Sequence, residues 1–301
     1  MGEGYYHPNQ DQLEIVGAVD DALAELLPIA RLHQAHEETA AVWAELDGLG
    51  SFGISLPEEA GGSGLGVAEE ALIVMALGRR LASPTVLATV AAAPAVPAEL
   101  RNGAAGTTRV AAAYRRGDQV VVVGDPDAEL MLLRDGDNTA LYRADMPNAE
   151  LDSRNWLARL QVVSTLGEPL AGAAQAAVEM AVEYAQMREQ FGRPIGSQQA
   201  IKHHCANMAI QARCARDQIS FAAVALDQGR ADAAISVESA LLIASTAAIE
   251  NAGKNIQIHG GIGFSDEADP HLLLKRAQLL AQVAGGLEAA TDRLAALPSV
   301  P

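Results

Sequence analysis

Apolar residues recur every three to four positions through the first hundred residues, a spacing typical of amphipathic helices. It indicates helices over 11–47, 67–82 and 86–99, with Pro28 interrupting the first run. A loop with five glycines and a proline, SFGISLPEEAGGSGLG, separates the first run from the second. We therefore predict an all-helical domain over residues 1–100.

The pattern changes over residues 101–152, where short β-type runs are cut by Gly-Asp and Asp-Gly turns. Strands are predicted near 109–114, 118–123, 129–133 and 139–143. Four short strands form a small β meander, which is too little for an independently stable domain. This segment is the predicted middle domain.

Helical spacing returns in the last part of the chain, residues 153–301, with glycines and prolines confined to the turns. Four long helices are predicted, over 157–190, 197–228, 232–258 and 271–296. Long helices joined by short turns favour a four-helix bundle. The expected fold class is thus mainly α, with a reduced β segment between two helical domains.

Composition narrows the possible functions. The formal net charge of −17 argues against nucleic acid and anionic membranes as partners. No apolar stretch of about 20 residues is free of charges, and the first residues show no signal-peptide pattern, so we expect no membrane span. The two cysteines, Cys205 and Cys214, would lie about 13 Å apart on one helix, too far for a disulfide. Free thiols fit a cytoplasmic location.

The segment REQFGRPIGSQQAIKHH, residues 188–204, combines a helix end, a tight turn and a helix start. Arg188 offers forked donors suited to a pyrophosphate, and the N–H groups that open a helix also favour anions. Phe191 has a ring able to pack on a purine. The same residues also fit an ordinary helix–helix turn with a capping arginine, and spacing alone does not separate the two interpretations.

A second segment, NIQIHGGIGFS, residues 255–265, places Gln257 before three glycines in four positions, at Gly260, Gly261 and Gly263. Glycines let a ligand or another backbone come close. This is not a phosphate loop, because no Lys-Ser/Thr follows and no strand precedes it. A helix end with a flexible exit is the alternative interpretation.

Together these segments resemble the acyl-CoA dehydrogenase family. The first is similar to its R-x-x-F-G helix–turn–helix, with Gln198 where Phe is common, and the second to its Q-x-x-G-G segment; residues 40–83 resemble its N-terminal motif. The resemblance implies a fold of N-terminal helices, middle β-domain and C-terminal bundle, and an FAD shared across a subunit interface. The FAD-contacting positions that it implies are Arg188, Gln190, Phe191, Gln198, Gln199, Gln257, Gly260 and Gly261.

The chain departs from the family where its own catalytic half would lie. Its middle segment has about 50 residues, roughly half of what the family needs. The position of the usual catalytic glutamate is Ala284, and the following threonine position is Gly286. The alternative base position is Val162, which is equally inert. The resemblance therefore implies no catalytic residue in this chain.

The resulting hypothesis is that this chain is a subunit without a catalytic base in a heteromeric, α2β2 acyl-CoA dehydrogenase. It resembles the truncated subunit of the heteromeric enzymes that act on CoA esters of steroid side chains. Its expected partners are a full-length subunit carrying the catalytic glutamate, an acyl-CoA substrate and an acceptor similar to electron-transfer flavoprotein. Two alternatives stay open: a homomeric dehydrogenase with Glu288 as displaced base, or a flavin-free acyl-CoA-binding scaffold. His33 and His36 lie near two glutamates, but a solvated helix face accounts for them, so no metal site is predicted.

Overall fold

The computed structural model describes residues 6–34, 37–103, 106–135, 138–152 and 167–298. As predicted, the fold is mainly α; its described β structure is one five-stranded sheet and two short two-stranded pairs. The α-helices are α1 Gln10–Leu26, α2 Ala40–Gly48, α3 Val67–Arg79, α4 Pro84–Ala92, α5 Gly167–Met187, α6 Gln199–Asp227, α7 Ala233–His259, α8 Pro270–Val283 and α9 Gly286–Ala296. Short 3-10 helices span Ile29–His33, Glu58–Ala60, Ala93–Ala95, Ala98–Leu100, Ile195–Ser197 and Gly260–Phe264.

Polar side chains begin several of the N-terminal helices. The Asn9 side chain accepts the N–H of Gln12 at 2.9 Å, and the Gln12 side chain accepts the N–H of Asn9 at 2.8 Å, which forms a capping box at α1. The start of α3 is capped from a distance: Asp227, at the end of α6, accepts the N–H groups of Val67 and Ala68 at 2.9 and 3.0 Å. This carboxylate joins the N-terminal helices to the bundle and suits the positive end of α3.

The strands are β1 Asn102–Gly103, β2 Gly106–Thr107, β3 Val110–Arg116, β4 Gln119–Val123, β5 Leu130–Asp135, β6 Asn138–Arg143, β7 Met146–Asp152, β8 Glu189–Gln190 and β9 Arg193–Pro194. Strands β3 to β7 form one sheet in the order β4-β3-β5-β6-β7. The sheet is not the simple meander predicted, since β5 lies parallel to β3, and it gains β7, a fifth strand. After β4 the chain passes the N-terminal end of β3. Strand β5 therefore lies on the other side of β3 and runs in the same direction as β3.

Helices α5 to α8 form the bundle. The expected helix over 271–296 is wrong in one respect, because it breaks into α8 and α9 at Gly285 and Gly286, with φ of 95° and 83°. These left-handed values suit glycine and end a helix.

Helix α3 packs on α5 with backbones nearly in contact. A side chain at Gly78 would collide with the backbone of Pro169, and one at Gly172 would collide with the carbonyl of Met75. The two helices thereby bind the N-terminal domain to the bundle, around a core of leucine and alanine side chains.

Helix α7 and the turn after it, Ala233–Phe264, are long and apolar enough to cross a membrane by length and composition alone. In this fold α7 packs against α5, α6, α8 and α9. Buried core helices meet the same criterion, so this single candidate is weak evidence for a membrane span.

Candidate functional site

The chain turns back on itself just after α5, in a hairpin made by β8 and β9. Its two-residue tip, Phe191 and Gly192, has φ of 54° and 73°, the left-handed pair typical of a type I′ turn. An aromatic residue is uncommon in this conformation. Its side chain is 93% exposed, so packing inside this chain does not account for it.

Arg188 stands at the base of the hairpin. Its N–H donates to the Tyr184 carbonyl at 2.8 Å, and its carbonyl accepts the N–H of Ile195 at 2.8 Å. The backbone is thus fixed while the side chain is exposed, and within the described ranges no hydrogen bond or ion pair engages the guanidinium. Arg188 remains able to bind an anion brought by another molecule.

Two glutamines lie where α6 begins. Gln198 is the N-cap residue with extended backbone and Gln199 is the first helical residue; neither side chain caps the helix. Gln199 is exposed, as is Gln190 in β8. The first N–H groups of α6 therefore form an uncapped, anion-favouring end beside the hairpin.

The second motif lies at the C-terminal end of α7. Gln257 is exposed in the last turn, and Gly260 leaves the helix with φ 67°. A Cβ at Gly260 or Gly261 would meet no atom within 4 Å, so the backbone is open to a ligand. Gly263 differs, because a side chain there would collide with the carbonyl of Ile256.

A stacked pair holds the two motifs at one end of the bundle. The rings of Tyr184 and His259 lie 3.9 Å apart at 22°, and the Tyr184 hydroxyl donates to the His259 carbonyl at 3.4 Å. Burial lowers the pKa of His259, which favours a neutral ring, and its Nδ1 lies 2.9 Å from the Asn255 carbonyl. Sequence reasoning missed this pair, although Tyr184 lies one turn before Arg188.

Apolar side chains surround this end without being buried. Met187, Ile262 and Phe264 are 66%, 45% and 75% exposed. Together with Phe191 they give the motif end an apolar surface beside its uncapped helix and free arginine. The described residues at this end fit the adenosine and pyrophosphate part of FAD: an arginine, an exposed aromatic ring and glycines that let a ligand approach.

The position that the resemblance assigns to the catalytic base, Ala284, is buried, with 3% of its surface exposed. Its neighbour Val283 belongs to the same apolar cluster as the sheet residues Val110 and Leu132, so the sheet packs onto this turn. A Cβ at Gly285 would lie 3.3 Å from Arg134 Nε.

Basic side chains lie beside the turn that follows Ala284. The same Cβ at Gly285 would lie 3.4 Å from Arg293 Nη1, and Arg293 Nε pairs with Glu238 at 3.0 Å. Glu288 is exposed and lies four residues after Ala284, beyond the break at Gly285 and Gly286, in the first turn of α9. Sequence reasoning missed Arg134 and Arg293, since neither belongs to a motif.

Two more positions are candidates for a catalytic base, Val162 and Glu168. The first lies outside the described residues and the second is buried. Burial raises the pKa of Glu168 well above the ordinary range, a backbone hydrogen bond opposes this rise and the nearby Glu70 adds to it. It is a buried acid in the first turn of α5, near Glu70 of α3.

The histidines that invited a metal interpretation have other contacts. His33 Nε2 lies 2.7 Å from Asp269 Oδ1 and its ring meets His271 edge-on, while His36 falls outside the described residues. Over the described ranges, no group of three or more His, Cys, Asp or Glu side chains is arranged to hold a metal ion.

Two family models match the chain in order: the acyl-CoA dehydrogenase N-terminal domain over residues 9–105 and the C-terminal domain over residues 165–296. The acyl-CoA dehydrogenase IpdE2 of Mycobacterium tuberculosis is 35% identical over 259 residues, covering 78% of this chain and 79% of that protein.

Solved structures share the fold. A chain of the ChsE4–ChsE5 complex from M. tuberculosis aligns with a TM-score of 0.79 at 23% identity, covering 98% of this chain and 100% of that chain. A chain of a G363A variant of the Tcur3481–Tcur3483 steroid ACAD aligns with a TM-score of 0.76 at 24% identity, covering 95% of this chain and 97% of that chain.

Proposed function

The chain belongs to the acyl-CoA dehydrogenase family, as its sequence predicted, and we propose that it is the base-less subunit of a heteromeric member. It completes the FAD site of a full-length partner and abstracts no proton itself. The oxidoreductase class follows from the family. The division of labour between two subunits is the proposed part.

FAD, when bound, would supply hydride acceptance in acyl-CoA oxidation. The residues of this chain would hold the adenosine and pyrophosphate end of the cofactor. Arg188 would pair with the pyrophosphate and Phe191 would cover the adenine, while Gln199 and Gln257 would donate or accept hydrogen bonds at the polar edge of the adenosine. The open backbone at Gly261 permits the close approach that these contacts need.

The observation that carries the proposal is the contrast between the motif residues and the turn after α8. At the hairpin and at the C-terminal end of α7, four motif residues are exposed: Arg188, Gln257, Gly260 and Gly261. After α8, a helix of 14 residues or about 21 Å, Ala284 is buried next to Val283, which packs with the sheet. A homomeric enzyme needs both the motif residues and a base in each subunit, whereas a heteromeric one needs only the motif residues here.

The substrate is proposed to be the CoA ester of a bulky steroid side chain. The support is analogy: one fold neighbour is a steroid ACAD, and another is a complex of two different chains. An α2β2 assembly in the cytoplasm, passing electrons to an acceptor similar to electron-transfer flavoprotein, completes the proposal.

Two alternatives make different demands. A displaced base would have to be Glu288, which is exposed and stands beside a closed turn. A flavin-free scaffold has no use for a strained, 93% exposed Phe191. Both alternatives leave one end of the bundle unexplained.

The test is flavin stoichiometry. We expect the chain purified alone to carry no FAD, and its complex with the proposed full-length dehydrogenase subunit to carry one FAD per pair of chains, measured by flavin absorbance against protein concentration. Flavin and dye reduction by the lone chain with acyl-CoA would contradict the proposal. A stable complex without flavin would favour the scaffold.

Arg188→Ala tests the shared site directly. Losing a charge-assisted contact of about 1.5–3 kcal/mol should weaken FAD retention in the complex at least tenfold, measured by flavin release on dilution. Arg193→Ala, the matched change of an exposed arginine in the same hairpin, should retain FAD. Equal retention in both variants would exclude Arg188 from the site.

A further inference from the structure

An open groove of about 490 Å³ lies between α1 and α6, with α3 and α5 as its floor. Its floor is apolar and includes Leu72, Met75 and Ala171. Its volume is within the range of small-molecule sites. Arg213, in the α6 wall, is 14 residues or about 21 Å along the helix from Gln199, so the groove is separate from the FAD motifs.

Gly17 has no structural reason to be glycine. It lies inside α1 and faces this groove, yet a Cβ there would meet no atom within 4 Å. Glycine inside a helix costs about 1 kcal/mol relative to alanine. Gly172, in the floor, differs because a side chain there would collide with α3. A ligand that occupies this space would explain why α1 has a glycine at position 17 despite the cost.

Three arginines and two aspartates line the groove, and one of these arginines, Arg79, pairs with Asp20 at 2.6 Å, which leaves Arg213, Arg216 and Asp217. Arg213 uses only Nε, bonded to Asp217 at 2.8 and 2.7 Å, and Arg216 Nε lies 3.8 Å from the same carboxylate. Among described residues the terminal Nη groups of both arginines have no bonded partner. In a chain of net charge −17, two adjacent arginines sharing one aspartate make a local site for an anion.

The apolar wall opposite is incompletely covered. Leu13 of α1 lines the groove and remains 53% exposed. An apolar body lying on Leu13, Leu72 and Met75 would cover this surface, and its acidic group would lie at the arginines. We propose that the groove binds a small amphipathic carboxylate, a ligand with a flat or linear apolar body and one negative charge.

The test uses two fluorescent probes of similar shape on the chain in its native complex. 1-Anilinonaphthalene-8-sulfonate is anionic and N-phenyl-1-naphthylamine is neutral. Gly17→Leu fills the groove and should weaken anionic-probe binding at least tenfold. Gly17→Ala restores helix propensity and adds only one methyl group to the groove, so it should weaken anionic-probe binding clearly less than Gly17→Leu does. Both variants should unfold at a higher temperature, which shows that Gly17→Leu does not act by unfolding the chain.

The arginines are tested by the paired change Arg213→Gln and Arg216→Gln. It should weaken the anionic probe about tenfold and leave the neutral probe unchanged. Loss of both probes alike, no probe binding in the unmodified complex, or equal binding in Gly17→Leu and Gly17→Ala would overturn the proposal. Exclusion of both probes by the partner subunit would also overturn it.

Competition then identifies the ligand class. Displacement of the bound anionic probe by deoxycholate but not decanoate indicates a polycyclic carboxylate, and the reverse indicates a linear one. Failure of both to displace it would overturn the carboxylate assignment. None of these outcomes depends on FAD retention, so the groove and the proposed shared flavin site succeed or fail separately.

Discussion

Among single residues, Phe191 has the sharpest conflict between side chain and backbone. A left-handed φ at the first position of a type I′ turn suits asparagine, and Gly192 already suits the second. We therefore expect Phe191→Asn to raise the free energy of unfolding of the lone chain by about 1 kcal/mol. The same change should weaken FAD retention in the complex five- to tenfold, because an aromatic contact of about 1 kcal/mol is lost.

Phe191→Tyr is the control, since it keeps both the ring and the strain. It should leave chemical denaturation and flavin release unchanged. If Phe191→Asn stabilises the chain and FAD is held as tightly as before, the ring contacts something other than the flavin, such as the partner's surface.

Candidate site residues could be predicted from the sequence only where the type of side chain limits the chemistry that it can perform. Arg188 and Gln257 stood out because forked donors and amides beside glycines are uncommon in helical turns. Tyr184, His259 and Arg134 were not readable, since their roles depend on contacts between segments distant in sequence. A lone tyrosine inside a helix fits almost any core.

Between elements, the start of α8 docks on the Ile29–His33 turn through His271. This ring is buried, and burial, followed by Lys275, lowers its pKa below the ordinary value of 6.5; His33 adds to this effect, while Asp266 and Asp269 oppose it. The unfolded chain therefore takes up a proton first as pH falls. Stability should be complete above about pH 7 and decline from there toward pH 5.

His271→Phe should remove part of that decline, because a neutral ring of similar size can keep the edge-on contact with His33. The measurement is the free energy of unfolding from chemical denaturation at pH 7 and pH 5. His203→Asn, on an exposed face of α6, serves as control and should keep the full decline. An unchanged pH dependence in His271→Phe would show that other groups govern it.

Element boundaries were predictable where periodicity is long and uninterrupted. Helices α6 and α7 lie within a residue or two of the expected spans, since their alternation of apolar and polar residues continues for more than seven turns. The break at Gly285 was missed because both flanks keep helical spacing. The parallel β3–β5 pair could not be read from the runs, because spacing along one strand says nothing of which strand lies beside it.

At the scale of the whole molecule, the sheet packs against the turn that follows α8. Apolar side chains of the sheet and Val283 form one cluster, and the Arg134 side chain reaches Gly285. The sequence predicted two features separately: alanine at the expected base position, Ala284, and a short middle segment. That the sheet of the middle segment packs beside Ala284 could not be predicted, because this packing joins residues about 150 positions apart in sequence.

Restoring the base alone should therefore fail. Ala284→Glu buries a carboxylate and should lower the free energy of unfolding by about 3 kcal/mol. In a complex whose partner subunit has its own glutamate changed to glutamine, this variant should produce no acyl-CoA-dependent dye reduction. Ala284→Gln separates size from charge, since a similar loss of stability would assign the effect to packing.

Glu288→Gln, at an exposed position four residues away, should change neither stability nor the activity of the intact complex. Turnover from Ala284→Glu would mean that the sheet opens to admit a substrate, and a large loss of activity in Glu288→Gln would mean that the base was displaced rather than lost.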